Sequence, residues 1–355
     1  NSIPQPVNLN GVWSLLKALF MERSEALAAT FSEPATPDEI QDIKMMLKQS
    51  LHDGAIGIGL PLDYISEAVN KAEIEMIFSV AGQRKAPLFV HIRRGINGDP
   101  KGLHEVLDLA KKYDAPLHIC HISHNAMRNI ELFLAETRKA REEGVDVTVE
   151  VLPFNAGSTS IGAAVFGRDW QTIFGISYED VEWAETGERF NEEMWNEYRR
   201  DKPTGGVIHH YLKDEWTQKA LAEPGSIVVS DLLPMESKEK HVAPHNSAFT
   251  RVLSHYVRDK QVITLPQAIK KMTLLPAQRL EEYAPRFSKK GRLQLGMDAD
   301  VVIFDEAAVT PQASYRDPYQ TAVGLDYVIV AGEPLIDNGS MVGGVLNGQL
   351  MTAKP

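Results

Sequence analysis

Residues 87–121 read PLFVHIRRGINGDPKGLHEVLDLAKKYDAPLHICH, and this stretch decides the fold. Pro87 to Ile92 is a short apolar run carrying a histidine, and Pro116 to His121 is a second run ending in one. Between them Leu103, Val106, Leu107 and Ala110 recur at the spacing of one helix face. Strand, helix and strand in so short a segment mean two parallel neighbours with the helix packed outside.

The alternation continues in both directions. Upstream, Thr36 caps a helix, Pro37 suits its first turn and Glu39 completes a capping box. Ile40, Ile43, Leu47 and Leu51 form its apolar stripe, and Gly54 ends it. Gly54 to Leu60 then reads as a buried strand whose glycines suggest tight packing or the close approach of something bound. A further helix starts near Asn70, with Ile74, Ile77, Phe78 and Ala81 on one face and Gly82 as its stop. Downstream, Met127, Ile130 and Leu134 mark a helix ending at Gly144, followed by a strand from Val145 to Leu152. Val207 to His210 and Ser226 to Ser230 read as two more strands, separated by a helix containing Trp216. That makes six candidate strands, whereas a closed parallel barrel has eight. Either the sheet is open or at least two strands lie upstream of Asn1. Asn1-Ser2-Ile3-Pro4 is neither an initiator methionine nor a signal peptide, so the chain is expected to begin inside a longer protein.

Two segments break the pattern. Residues 155–205 are rich in glycine, acids and aromatics and hold Trp170, Trp183 and Trp195, three of the five tryptophans. So long an insertion reads as a lid or pocket wall; its bland alternative is an oligomer interface, which would make the protein a homo-oligomer. From Gly291 the texture changes to short strands with turns, at 300–305, 327–331 and a Gly-rich 339–348. The expected organisation is a barrel over 1–285, with 155–205 inserted in it, and part of a small β-sandwich over 286–355.

With 37 Lys and Arg against 48 Asp and Glu, the net charge is −11, and no basic block offers a surface to phosphates. Nucleic acid is therefore not an expected partner. No apolar run reaches the 18 or more residues of a membrane span, so no membrane role is expected. The single cysteine, Cys120, leaves no internal disulfide framework and fits a reducing, cytoplasmic compartment, without excluding a periplasmic one.

Three strands end in metal-binding side chains: His91, His121 and Asp231. Catalytic groups of parallel barrels sit at the C-terminal ends of strands, so these three are expected to face one cavity. A lone strand-end histidine is more often a core residue. Histidines on two successive strands, with an aspartate ending a later one, favour a divalent metal site, with zinc as the expected ion. His124, His209, His210, His241 and His245 read first as ordinary polar lining. Cys120 precedes His121 and is expected to face the other side of the strand, as packing.

The runs Leu117-His118-Ile119-Cys120-His121-Ile122-Ser123, Val90-His91-Ile92-Arg93 and Val229-Ser230-Asp231 resemble the sixth-, fifth- and eighth-strand motifs of the amidohydrolase superfamily. Gly54-Ala55-Ile56-Gly57 with Gly59-Leu60 and Tyr64, Lys270-Lys271-Met272-Thr273 with Pro276-Ala277, and Gly296-Met297-Asp298-Ala299-Asp300 narrow the resemblance to the D-aminoacylase (N-acyl-D-amino-acid deacylase) branch. It runs from about Thr36 to Gly348. It implies a TIM-type (β/α)8 barrel whose first strands, with a His-x-His pair and a metal-binding cysteine, lie upstream, and it makes one of the six strands an extra beside the lid. It also implies hydrolysis of a linear amide, a small N-acyl amino acid or related compound, by a metal-bound hydroxide. His91, His121 and Asp231 would hold the metal, Asp231 would also relay the proton, and Tyr64 and Arg93 would contact substrate. Two departures bear on the substrate: the branch's lysine after the sixth-strand histidine is Ser123, and its His-Pro-Arg element is replaced by Pro244-His245-Asn246. The alternatives are a cyclic amidase or deaminase of the same superfamily, and an inactive ligand-binding barrel.

Overall fold

The computed structural model describes residues 33–65, 68–232, 244–345 and 347–353. The first helix, α1 (Pro37–His52), starts where its sequence says it should. Thr36 accepts a hydrogen bond from the Glu39 amide, and Glu39 accepts one from the Thr36 amide at 2.8 Å, satisfying two otherwise orphaned donors. Leu47 and Leu51 of its stripe pack half-buried against the core.

Five short strands follow: β1 (Ile58–Leu60), β2 (Leu88–Val90), β3 (Leu117–Ile119), β4 (Val147–Val151) and, after a long interruption, β8 (Ile227–Val228). They form one sheet in the order β1-β2-β3-β4-β8, with every neighbouring pair parallel. The helices α2 (Lys71–Arg84), α3 (Lys101–Tyr113) and α4 (Ile130–Glu142) connect the first four strands. Leu88, Val90, Leu117, Ile119, Val147, Val149 and Val151 alternate onto the helix side, where each is buried in the aliphatic core. Phe89, His118, Thr148 and Glu150 occupy the opposite face. There His118 bridges Thr148 Oγ1 at 2.7 Å and Glu150 Oε2 at 2.8 Å.

Two glycines show close approach. Gly82 does not stop its helix, which runs on to Arg84 and ends with Lys85 in the left-handed region. It is glycine because a Cβ would stand 1.9 Å from the Tyr113 carbonyl oxygen of the next connection. Gly57, just before β1, faces the Pro87 carbonyl in the same way, at 2.5 Å.

Val207 to His210 is not part of the parallel sheet. Strand β7 (Gly206–His209) is the centre of a separate antiparallel sheet, between β5 (Gly157–Ser160) and β6 (Val181–Trp183). The extra strand thus belongs with residues 155–205. The three tryptophans pack mainly on one another and on Phe166, Phe174 and Phe190, with Trp170 and Trp195 ring centroids 4.7 Å apart. They form an aromatic core for the insertion instead of a wall of the cavity. Toward the C-terminus β9 (Val301–Phe304), β10 (Leu325–Val330), β11 (Glu333–Asp337) and β12 (Ser340–Met341) form an antiparallel four-stranded sheet. No helix among the described residues is long and apolar enough to cross a membrane.

Candidate metal centre and substrate cavity

The C-terminal ends of β1, β2, β3 and β8 meet the insertion around one cavity of about 480 Å³, part of it open to solvent. His91, His121, Asp231 and Tyr64 all line it, together with Asp63, Arg94, His124, His209, Tyr211 and His245.

His91 follows β2 directly, and His121 follows β3 by two residues. Their rings are 4.3 Å apart between centroids and nearly perpendicular. His121 adopts φ 31° and Asp231 φ 49°, a left-handed backbone uncommon for side chains of this kind. Strain of this type costs about 1–3 kcal/mol and is characteristic of functional positions. The His121 amide donates to Glu150 Oε1 at 3.2 Å, tying the turn to β4. Burial lowers the pKa values of both imidazoles; the Asp63 carboxylate pulls the other way at His91, and the neighbouring imidazoles His91 and His124 and the Arg94 guanidinium add to the lowering at His121. Both are therefore neutral near pH 7, the form that binds metal.

Asp231 opens onto the cavity, yet the protein packed around it, and then the Glu150 carboxylate, push its carboxyl up to about 7. Its backbone carbonyl accepts a hydrogen bond from His245 Nδ1 at 2.9 Å, which fixes the tautomer so that His245 Nε2 carries the lone pair. That Nε2 is buried without a hydrogen-bond partner, as are His91 Nε2 and His124 Nε2. Several unsatisfied imidazole nitrogens beside a carboxylate suit a cation. Among the described residues, however, no three His, Cys, Asp or Glu side chains converge into a closed cage. The donors present fit a cation as part of a ligand set.

Asp63, in the loop after β1, escaped the sequence reading. Burial would raise its pKa, but Arg94, His91 and Arg168 hold the carboxyl well below the usual range. It accepts from the Arg94 amide at 3.0 Å and from Arg168 Nη2 at 2.6 Å, and lies 3.5 Å from His91 Nε2. Its position past a strand's C-terminal end was the only available signal. Glu150 also went unremarked, although a carboxylate inside the run Val-Thr-Val-Glu-Val marks a strand with one polar face.

Arg93 does not reach the cavity. Its guanidinium points to the helix side, where Nε bonds Glu105 at 3.0 Å and Nη2 bonds the Val69 carbonyl at 3.1 Å. Its neighbour Arg94 faces the cavity instead: alternation from His91 would have put Arg93 there, but the chain leaves strand geometry after Val90. His124 and His209 line the cavity; His210 turns away, with Nε2 3.5 Å from Glu182. His241 lies outside the described residues. Burial, then Glu150, raises the thiol pKa of Cys120, so it stays protonated.

Residues 99–336 match the profile described as the amidohydrolase family, and the chain belongs to that family. It is 30% identical over 319 residues to an N-acyl-D-glutamate deacylase of Alcaligenes xylosoxydans xylosoxydans, covering 86% of this chain and 63% of the relative. It is 29% identical to the D-aminoacylase of the same organism, covering 90% of this chain and 66% of that protein. The solved structure of the Bordetella bronchiseptica N-acyl-D-glutamate deacylase, complexed with zinc and a phosphonate mimic of the tetrahedral intermediate, superposes with a TM-score of 0.73. It is 27% identical, over 87% of this chain and 66% of that one. The architecture is accordingly the α/β barrel with a β appendage, and the chain spans about two thirds of the length of these relatives.

Proposed function

We propose that the protein is a metal-dependent hydrolase of linear amides, and that its substrates are N-acyl-D-amino acids. The observation that carries this reading is the placing of His91 and His121, rings 4.3 Å apart, with Asp231 on the rim of one cavity. A divalent ion held by these residues, with zinc the natural choice for two imidazoles and a carboxylate, would polarise the scissile carbonyl and acidify the attacking water. The similarity to deacylases and to a zinc-bound relative supports both parts.

The chain's own groups then have defined tasks. Asp231 accepts the proton lost by the attacking water and passes it to the leaving nitrogen as the C–N bond breaks, so that a carboxylic acid and an amine result. Tyr64, its hydroxyl kept protonated by burial, which moves its pKa to about 12, can donate to the acyl oxygen. The insertion closes the far side through Ala156 to Thr159 and Val165 and acts as the lid that excludes bulk water.

Elemental analysis of the full-length protein, beside the His91→Ala/His121→Ala variant, tests the metal. Bound zinc in the first and little in the second is the expected result; equal content in both refutes the site. A panel of N-acyl-D-amino acids, N-acyl-L-amino acids and cyclic imides tests the reaction. Turnover confined to the imides would reassign the activity to a cyclic amidase.

A further inference from the structure

We infer that Arg94 is the anchor for a single substrate carboxylate. The inference rests on the deacylase reading and adds a substrate class to it: N-acyl amino acids with an uncharged side chain.

The Arg94 side chain is only 6% exposed, so its charge is largely desolvated. A guanidinium has five donors. Here Nε has no partner, Nη2 reaches Asn125 Oδ1 at a long 3.4 Å, and Nη1 lies 3.6 Å from Asp63 Oδ2, beyond hydrogen-bond distance. A buried cation so loosely bonded is costly unless an anion completes it. Asp63 is an ion-pair partner at that distance but is shared, since Arg168 takes its other oxygen at 2.6 Å. Two guanidiniums around one carboxylate leave one positive charge over. The Phe174 and Tyr211 rings pack against the fork, with centroids 4.9 and 5.6 Å from its carbon, so it is held ready for a planar, two-oxygen partner.

Position agrees with this role. Arg94 lines the same cavity as His91, His121, Tyr64 and Asp231, and Asp63 stands between it and His91, 3.6 Å from the one and 3.5 Å from the other. A substrate can thus put its amide beside His91, His121 and Asp231 and its carboxylate on Arg94. Among the described lining residues Arg94 is the only Lys or Arg. Ser123 is fully buried, and Asn246 turns toward the Gln320 carbonyl. A side-chain carboxylate would therefore meet no second Lys or Arg among the described lining residues.

Calorimetric binding to the full-length protein, stripped of metal so that nothing is turned over, tests this. The probes are N-acetyl-D-leucine, its carboxamide and N-acetyl-D-glutamate, and the proteins are wild type, Arg94→Gln and Arg94→Lys. N-acetyl-D-leucine should bind about 10- to 100-fold more tightly than the carboxamide, the usual strength of a charge-assisted pair. Arg94→Gln should erase that difference without weakening the carboxamide, and Arg94→Lys should keep part of it. Equal affinity of acid and amide for wild type, equal loss of both in Arg94→Gln, tighter binding of N-acetyl-D-glutamate, or no binding at all overturns the inference. Binding that follows the expected pattern in a protein that hydrolyses none of the substrates when reloaded with metal would instead sink the proposed reaction and leave the anchor standing.

Discussion

The two regions that meet at the cavity are built on different principles. The barrel portion buries Leu, Ile and Val from short parallel strands against its helices, and its polar residues appear where strands end. The insertion is built of a small antiparallel sheet and short helices, and it buries Trp170, Trp183, Trp195, Phe166, Phe174 and Phe190 in a core of their own. Aliphatic side chains pack well on the repetitive surface of a strand. Three short strands and short helices offer less of that surface, and large flat rings supply more buried area per residue. Chemistry-bearing side chains are consequently set rigidly by the barrel, while the insertion contributes shape. Asp63 joins the two, accepting from the Arg94 amide on one side and the Arg168 guanidinium on the other.

If the barrel carries the chemistry, Asp231→Asn should lower kcat by about 10²–10⁴, as for a lost general base, with the folded structure unchanged. Steady-state kinetics and circular dichroism check this; near-normal turnover would move the proton transfer elsewhere. If the two cores are separate, Trp195→Ala should cost about 3–5 kcal/mol but spend it on the insertion. Hydrogen exchange would then quicken over residues 155–211 and leave the strands β1 to β4 protected. Uniform loss of protection would show one cooperative core.

The link between the regions should cost somewhat less. Asp63→Asn leaves two buried guanidiniums sharing a neutral amide, and we expect a destabilisation of about 3 kcal/mol, read from the denaturation midpoint. The smallest effect concerns pH. Burial works against ionisation of Asp214, but Asn155, Gln218, Tyr256 and His255 hold its carboxyl down at about 2. A depressed carboxyl contributes stability that is fully present above the unfolded value of 3.8 and fades as pH falls through about 2. Asp214→Asn should flatten that part of the stability curve, and an unchanged slope between pH 4 and 2 would show that the hydrogen bonds carry no weight.

The sequence by itself determined the periodic elements and the strand-end residues. Period two and period 3.6 are local properties, so α1 to α4 and all five parallel strands could be read from residues a few places apart. His91, His121 and Asp231 could be named because a parallel sheet turns every strand's C-terminal end to the same side, and Tyr64 through the family resemblance. Tertiary structure alone decided the rest. Whether Arg93 or Arg94 faces the cavity depends on how the backbone turns after β2, where the strand gives way to a loop and alternation from His91 no longer holds. That Val207 to His209 belongs to the insertion follows from its antiparallel partners β5 and β6, many residues away. The tryptophans could be counted but not placed, since stacking on one another or on a pocket leaves the same trace in the sequence. Asp63 has no local signature, because its charge is set by Arg94 and Arg168, 31 and 105 residues distant, and electrostatic partnership is a property of space and not of order along the chain.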